Sequence, residues 1–353
     1  MRCYSFAGVS DPEQFVPGSA VSPGEIPAGA VFVLGSFDGV HRGHRALFDA
    51  ALSLARESDP ASPADPAPVV VWSLSGLHRA CLTTEDEKRA LFRLCGASAC
   101  VFEDFAEIRA LPGETFFFDR LIAAFRPRAV VCGFNFTFGA GASCTPDDLC
   151  RFAGQAGIRA AVCPPVTGTP VTDGDEPISS TRIRALVTEG QMDEAARLMG
   201  HPYPVASPVR HGHRIGRTIG WPTLNQRLPE DKIAPPHGVY ASVSLLARGE
   251  ERILCPSVSN LGSRPTVNAD VSDVTLETHV NGDCGWEPDG EYGGPLVVWL
   301  GEFLRPERKF GSLEELKAAI AADTESALPG QTRLMEGYPG TDGVLCPPEE
   351  LLL

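Results

Sequence analysis

The stretch from Val31 to His44, VFVLGSFDGVHRGH, limits what this chain can fold into more than any other. An apolar, β-branched run ends at Gly35, and an Asp38-Gly39 pair and two histidines, His41 and His44, follow. Leu47, Ala50, Ala51 and Leu54 then recur at the spacing of one helix face. A strand that turns through glycines into a helix aims backbone N–H groups and the positive end of the helix dipole at an anion. Gly35, Phe37, Asp38 and Gly39 lie in that turn, where phosphates would be cradled. An imidazole N–H at His41 or His44 would stabilise charge building on a reacting phosphate. Turn chemistry alone offers a second reading, in which the glycines satisfy geometry and the histidines are exposed.

The same grammar repeats to about residue 200. Strands are expected at Val31–Gly35, Val69–Trp72, Ala99–Phe102, Ala129–Gly133 and Ala160–Cys163. Thr84 and Glu87 form a capping box before Lys88–Leu94, and Thr145, Pro146 and Asp148 open a helix running through Phe152. This alternation predicts an α/β domain with a doubly wound parallel sheet, its site at the carboxyl ends of the strands. Gly35–His44 and Gly133–Gly141 both follow strands and can converge there. Asp59–Pro68, DPASPADPAP, reads as a surface loop. After Met199-Gly200, HPYPVASP reads as a proline-rich joint. Beyond it, runs at Gly238–Leu246, Arg252–Ser259, Val274–Val280 and Pro295–Leu300 predict a small antiparallel β-barrel. A helix capped by Ser312 and Glu315, with Leu313, Leu316 and Ile320 on its apolar side, closes it. The expected domains are 1–200 and 201–326, followed by a mobile tail, 327–353.

The 353 residues suffice for two cores, and 43% hydrophobic with 21% charged residues is ordinary for a globular chain. A net charge of −15 argues against a broad nucleic-acid or anionic-membrane surface, so if the chain binds nucleotides, a local site and metal ions must attract the phosphates. The opening MRCYSFAGVSDPEQF has no apolar segment of signal-peptide type, and no run is long and apolar enough to span a bilayer. Eleven cysteines are scattered without a CxxC pair, which favours reduced thiols in a cytoplasmic protein. Oligomeric state is not legible.

Ile178–Arg184, ISSTRIR, opens a helix that Ser179, Ser180 and Thr181 can cap. Arg182 and Arg184 cannot both share their face, so either one arginine serves a phosphate or both are solvated. GSFDGVHRGH together with ISSTRIR resembles the adenylyltransferase half of the bacterial bifunctional riboflavin kinase/FAD synthetases, within the nucleotidylyltransferase superfamily. GFNFTFG, Gly133–Gly139, resembles that family's flavin- and nucleotide-facing loop. In the second half GHRIGRTIGWPTLN (Gly212–Asn225), HGVY (His237–Tyr240), NLGSRPT (Asn260–Thr266), LETHV (Leu276–Val280) and FLRPERKF (Phe303–Phe310) resemble the flavokinase motifs, in the family's order.

The resemblance implies a nucleotidylyltransferase-like domain that converts FMN and ATP to FAD and pyrophosphate. It implies a riboflavin kinase barrel that makes the FMN from riboflavin, ATP and Mg²⁺. It places the Gly35–His44 turn, Ser179, Ser180, Thr181 and Arg182 on ATP, and Asn135 on the substrates. In the barrel it places Gly212, Gly216, Arg217 and Gly220 at phosphates, Glu277 as general base on the ribityl 5′-hydroxyl, and Arg305 near the flavin. Thr223 and Asn225 offer hard, neutral oxygens suited to Mg²⁺. No G-x-x-x-x-G-K-[ST] loop is present, which excludes a P-loop kinase.

The chain departs from the family at Ser73–His78, SLSGLH, where a Phe-x-Pro-His-Pro segment is usual. That opens an alternative: a riboflavin kinase or flavin-binding protein whose adenylyl transfer is weakened or lost. Trp221 and Leu224 also differ from the flavokinase pattern, and Asp283–Asp289 is a divergent loop before Tyr292. An adenylyltransferase with another acceptor, such as pantetheine or nicotinamide phosphate, is countered by the flavokinase-like second half.

Overall fold

The computed structural model describes residues 1–5, 19–57, 66–77, 80–167, 176–211, 220–248, 251–264, 273–282 and 293–336. They fall into two compact units.

The first unit is built on seven strands: β1 (Arg2–Ser5), β2 (Ser19–Val21), β3 (Val31–Gly35), β4 (Val69–Ser75), β5 (Ala99–Asp104), β6 (Ala129–Gly133) and β7 (Arg159–Cys163). Their order is β2-β1-β5-β4-β3-β6-β7. The five strands expected from the sequence are present and parallel. β1 and β2, which had no expectation, extend the β5 edge antiparallel. In β3, Val31 to Leu34 are all buried, as in a strand covered on both faces. The chain winds outward from β3 through β4 to β5, then returns to β6 on the other side. The reversal opens a crevice at the carboxyl ends of β3 and β6.

Helical segments serve this sheet. α1 (Arg42–Arg56) buries Leu47, Phe48, Ala51 and Ala55. α2 (Glu85–Leu94) and α5 (Pro146–Gln155) start at the expected capping boxes, Thr84/Glu87 and Thr145/Asp148. After α3 (Phe105–Ile108), a π-helix at Thr115–Ile122 runs into α4 (Ala123–Phe125). The π-helix buries Phe116, Phe117 and Leu121, with Phe116 edge-on to Trp72.

The second unit takes Ala80–Glu87 and the residues from Ser180 on. In this division α6 (Ser180–Thr188) and α7 (Met192–Met199) group with the barrel. The cause is packing: Ala196 of α7 is buried against Val243 and Leu334. Within HPYPVASP, Tyr203–Pro208 is strand β8. Its prolines are tolerated at one end of the sheet order, where a missing N–H leaves no ladder bond unmade. β9 (Leu224–Arg227), β10 (Gly238–Arg248), β11 (Glu251–Arg264), β12 (Asp273–Val280) and β13 (Pro295–Pro306) complete an antiparallel sheet of order β8-β13-β10-β11-β12-β9.

The two ends of that order nearly meet. Arg210 N donates to Asn225 O at 2.7 Å. Buried Gln226 of β9 donates through Nε2 to the carbonyls of Ser207 and Leu296, both at 2.8 Å. The expected closing helix is α8 (Leu313–Glu336), with Ser312 Oγ accepting from Glu315 N at 3.1 Å. Its buried side is Ala319, Asp323, Ala327, Gln331 and Leu334, with Leu316 and Ile320 half-buried as expected, whereas Leu313 is 54% exposed and is corrected.

A tail beginning at 327 is corrected too, since the helix runs on to Glu336. Pro329 faces solvent, and Gly330 lets the helix lie on β10: a Cβ there would stand 2.6 Å from Ala241 Cβ. Residues 337–353, 58–65 of the Asp59–Pro68 loop and the Asp283–Tyr292 loop lie outside the described residues. No disulfide joins the described cysteines. Among the described residues no helix is long and apolar enough to cross a membrane.

Candidate active sites

The first candidate site grows from the end of β3. His41 caps α1 through an unusual reciprocal box: His44 N donates to His41 Nδ1 and His41 N donates to His44 Nδ1, each at 3.3 Å. The rings stack, with centroids 3.6 Å apart and planes 14° from parallel. Because both Nδ1 atoms accept, each neutral imidazole carries its proton on Nε2. Burial, with His41 and Lys88 nearby, holds the His44 pKa well below the ordinary imidazole value, so its ring is neutral at pH 7. His41 is buried, which rules out the reading of two merely exposed histidines.

The turn is strained. Phe37 and Val40 sit at φ of 51° and 40°, a region that side-chain-bearing residues avoid and β-branched ones most of all. Such residues cost on the order of 1–3 kcal/mol each and persist only where surroundings over-determine them. Here the Phe37 ring packs edge-on against His44, Phe48 and Phe92. The carbonyl of Ser36 accepts from Lys88 Nζ at 2.9 Å and from Ser73 Oγ at 3.1 Å. Gly43 packs closely: a Cβ would stand 3.1 Å from the His41 ring, which would have to shift by a few tenths of an ångström, and in ordinary contact with the Ile178 carbonyl at 3.7 Å. That contact brings the residue preceding the SSTR run to the start of α1.

Across the crevice, Asn135 is exposed in the turn that follows β6. Phe134 beside it is 44% exposed, and the rings of Phe136 and Phe138 stack at 5.6 Å. Gly35, Asp38 and Gly39 lie in the β3 loop as expected, and Asp38 is buried. Ser180, Thr181 and Arg182 form the first turn of α6, directly after Ser179. Lys88 escaped the sequence reading as a site residue; its role shows only in the bond from Nζ to the Ser36 carbonyl. His78 lies outside the described residues.

The second candidate site is set by strand register. Glu277 of β12 pairs directly with Asn225 of β9 on one side and Asn260 of β11 on the other. Directly opposed residues share a face, so the three side chains form a row. The alternate positions Leu224, Leu276 and Leu261 are buried beneath. Asn225 Nδ2 reaches the Thr223 carbonyl at 3.3 Å and Thr223 Oγ1 at 3.5 Å. Thr223, Asn225 and Glu277 are thus brought together.

Asn260 Nδ2 donates to Glu307 Oε1 at 3.0 Å, and the Glu307 carboxylate fills the space over Gly262. Asn260 and Glu307 were missed as site residues although both lie inside motifs read from the sequence. Arg305 makes a two-pronged ion pair with Asp323 of α8, at 2.7 and 2.6 Å. Gly220 turns the chain at φ 84°, while Gly212, Gly216 and Arg217 lie outside the described residues.

Comparison with known proteins agrees with both halves. The FAD synthetase family model matches residues 24–182 and the riboflavin kinase model residues 199–329. The bifunctional riboflavin kinase/FMN adenylyltransferase of Escherichia coli K12 is 35% identical over 305 residues, covering 85% of this chain and 92% of the relative. The chain belongs to the bifunctional riboflavin kinase/FMN adenylyltransferase family. Another member, from Bacillus subtilis 168, is 31% identical over 312 residues, 86% of this chain and 93% of that protein. A crystal structure named as a macrolide-efflux protein from Streptococcus pneumoniae superposes with a TM-score of 0.69 at 28% identity, over 87% of this chain and 96% of that one. That likeness shows a shared fold over most of the chain.

Proposed function

We propose that the chain runs its family's two reactions in two separate centres. Thr223, Asn225 and Glu277 serve transfer of the ATP γ-phosphoryl group to riboflavin, and the His41–His44 turn serves transfer of AMP to the FMN so formed. The observation that carries the reading is the register setting Glu277 opposite Asn225, itself bonded to Thr223.

Phosphoryl transfer needs alignment, charge stabilisation and an acceptor for one proton. Thr223 Oγ1 and Asn225 Oδ1 are hard, neutral oxygens that fit Mg²⁺. Among the described residues no group of three His, Cys, Asp or Glu is placed to hold a metal ion, so ATP phosphates and water would complete its ligands. When bound, the ion offsets negative charge on the phosphates. Glu277 takes the proton of the ribityl 5′-hydroxyl as that oxygen attacks the γ-phosphorus. Gly212, Gly216, Arg217 and Gly220 keep the phosphate-binding role the resemblance gives them. Arg305 acts at the flavin site through its ion pair to Asp323, which fixes the run from Arg305 to Phe310.

In adenylyl transfer an FMN phosphate oxygen attacks the α-phosphorus and pyrophosphate leaves, with no covalent enzyme intermediate required. The Nε2–H groups of His41 and His44 donate to the oxygens that gain charge. Gly35, Phe37, Asp38, Gly39, Ser179, Ser180, Thr181 and Arg182 bind ATP, and Asn135 contacts the flavin substrate. A chain that had abandoned this reaction would have no use for left-handed Phe37 and Val40. Ser73, the first residue of the departing segment, still helps hold the loop.

Glu277→Gln tests the first centre. FMN formation should fall by about 10²–10⁴-fold, while supplied FMN is still converted to FAD at the wild-type rate. Riboflavin phosphorylation at full rate in this variant would remove Glu277 from its role.

A further inference from the structure

We infer that His279 is a positioning residue for phosphoryl transfer: its ring bonds the Pro222 carbonyl and so fixes the turn that presents Thr223 to the nucleotide. The inference rests on the reading of Thr223, Asn225 and Glu277 given above.

The β9 ladder begins only at Leu224, which pairs with Thr278. Trp221, Pro222 and Thr223 therefore enter the site without ladder bonds of their own to β12. Pro222 has no N–H to contribute. Gly220, at φ 84°, is the preceding bend, so the run between bend and strand needs an external tie. His279 supplies it. Its Nδ1–H donates to Pro222 O at 2.9 Å. Its ring also meets the Trp221 ring edge-on, with centroids 4.8 Å apart.

Period-two alternation puts His279 on the face of Glu277, two residues on, and the reach of Asn225 Nδ2 to Thr223 Oγ1 at 3.5 Å keeps Thr223 beside Asn225. Asn225 thus lies across from Glu277, and Thr223 precedes Leu224, the partner of Thr278 next to His279. Losing the tie frees Thr223 relative to Asn225 and Glu277, which their own ladder pairing holds. The base and the amide stay in their strands and the hydroxyl ligand drifts. The expected defect is therefore in nucleotide binding and not in riboflavin binding.

The test uses the full chain and Mg²⁺·ADP, titrated without turnover and followed by Trp221 emission, with Trp221→Phe subtracting the other tryptophans. His279→Phe keeps a ring against Trp221 and removes the donor. His279→Asn keeps an N–H near the Nδ1 position. We expect His279→Phe to weaken Mg²⁺·ADP binding by about three- to tenfold, the range for one lost hydrogen bond, with the riboflavin KM unchanged. We expect His279→Asn to restore most of the affinity, and both variants to convert supplied FMN to FAD normally. Wild-type affinity in His279→Phe overturns the inference, as does equal failure of both variants or a parallel rise in the riboflavin KM. Thr223→Ala separates the two readings: if it leaves Mg²⁺·ADP binding intact, the placing of the phosphoryl-transfer centre fails.

Discussion

At the residue scale, the His41–His44 pair shows how a local bond fixes a protonation state. Each ring spends Nδ1 on its partner's backbone N–H, so the remaining nitrogen must be the donor. His44 stays neutral in the fold with a lowered pKa. The sign follows: as pH falls below the ordinary imidazole value of about 6.5, the unfolded chain takes up a proton that the folded chain refuses. The stability tied to neutral His44 is complete above that pH and declines as pH falls toward the lower folded value. His44→Asn retains a side-chain oxygen for the cap and removes the titration. Urea unfolding at pH 7.5 and 5.5 should show a smaller acid loss in this variant than in wild type, and FAD formation slowed by about 10²–10³-fold. An unchanged acid loss would mean that His44 is not held neutral by its surroundings.

At the element scale, buried pairs and close approaches decide more than propensity does. The Glu87 carboxylate closes its own capping box and also accepts from Lys232 Nζ at 2.6 Å and from Ala206 N at 3.1 Å. Both side chains of the Glu87–Lys232 pair are fully buried. Burial lifts the Glu87 carboxyl above its usual range against the pull of Lys232. Lys232→Met strands that carboxylate and should cost about 3–5 kcal/mol in urea unfolding; adding Glu87→Leu should recover part of the loss. Gly330→Ala makes a second case. Helix propensity alone favours alanine by about 1 kcal/mol, yet the new Cβ would stand 2.6 Å from Ala241 Cβ. Net destabilisation is the expected outcome, and a higher Tm would contradict the packing of α8 on β10.

At the scale of the whole molecule, the sequence was legible where local chemistry and fold agree. The five parallel strands, both capping boxes and the four long barrel strands declare themselves through apolar runs, Thr-x-x-Glu or Thr-x-x-Asp spacing, and Gly or Pro breaks. Thr223, Asn225 and Glu277 were legible as residues, whereas their adjacency is a product of register. Elements defined by a tertiary partner were not legible. β1 and β2 are short edge strands, and β8 hides behind two prolines that only an end position tolerates. The last turns of α8 look like a Gly/Pro tail until Gly330 is seen against Ala241. Lys88, Asn260 and Glu307 gain meaning only from what they touch.

Two centres working in series on one flavin is the central claim, and a time course of flavin products tests it most directly. Purified protein is mixed with riboflavin, ATP and Mg²⁺, and riboflavin, FMN and FAD are separated at intervals. FMN should appear first and FAD after a lag, with FAD arising without lag when FMN is supplied. Accumulation of FMN with no FAD at any time, or no flavin product at all, would contradict the account.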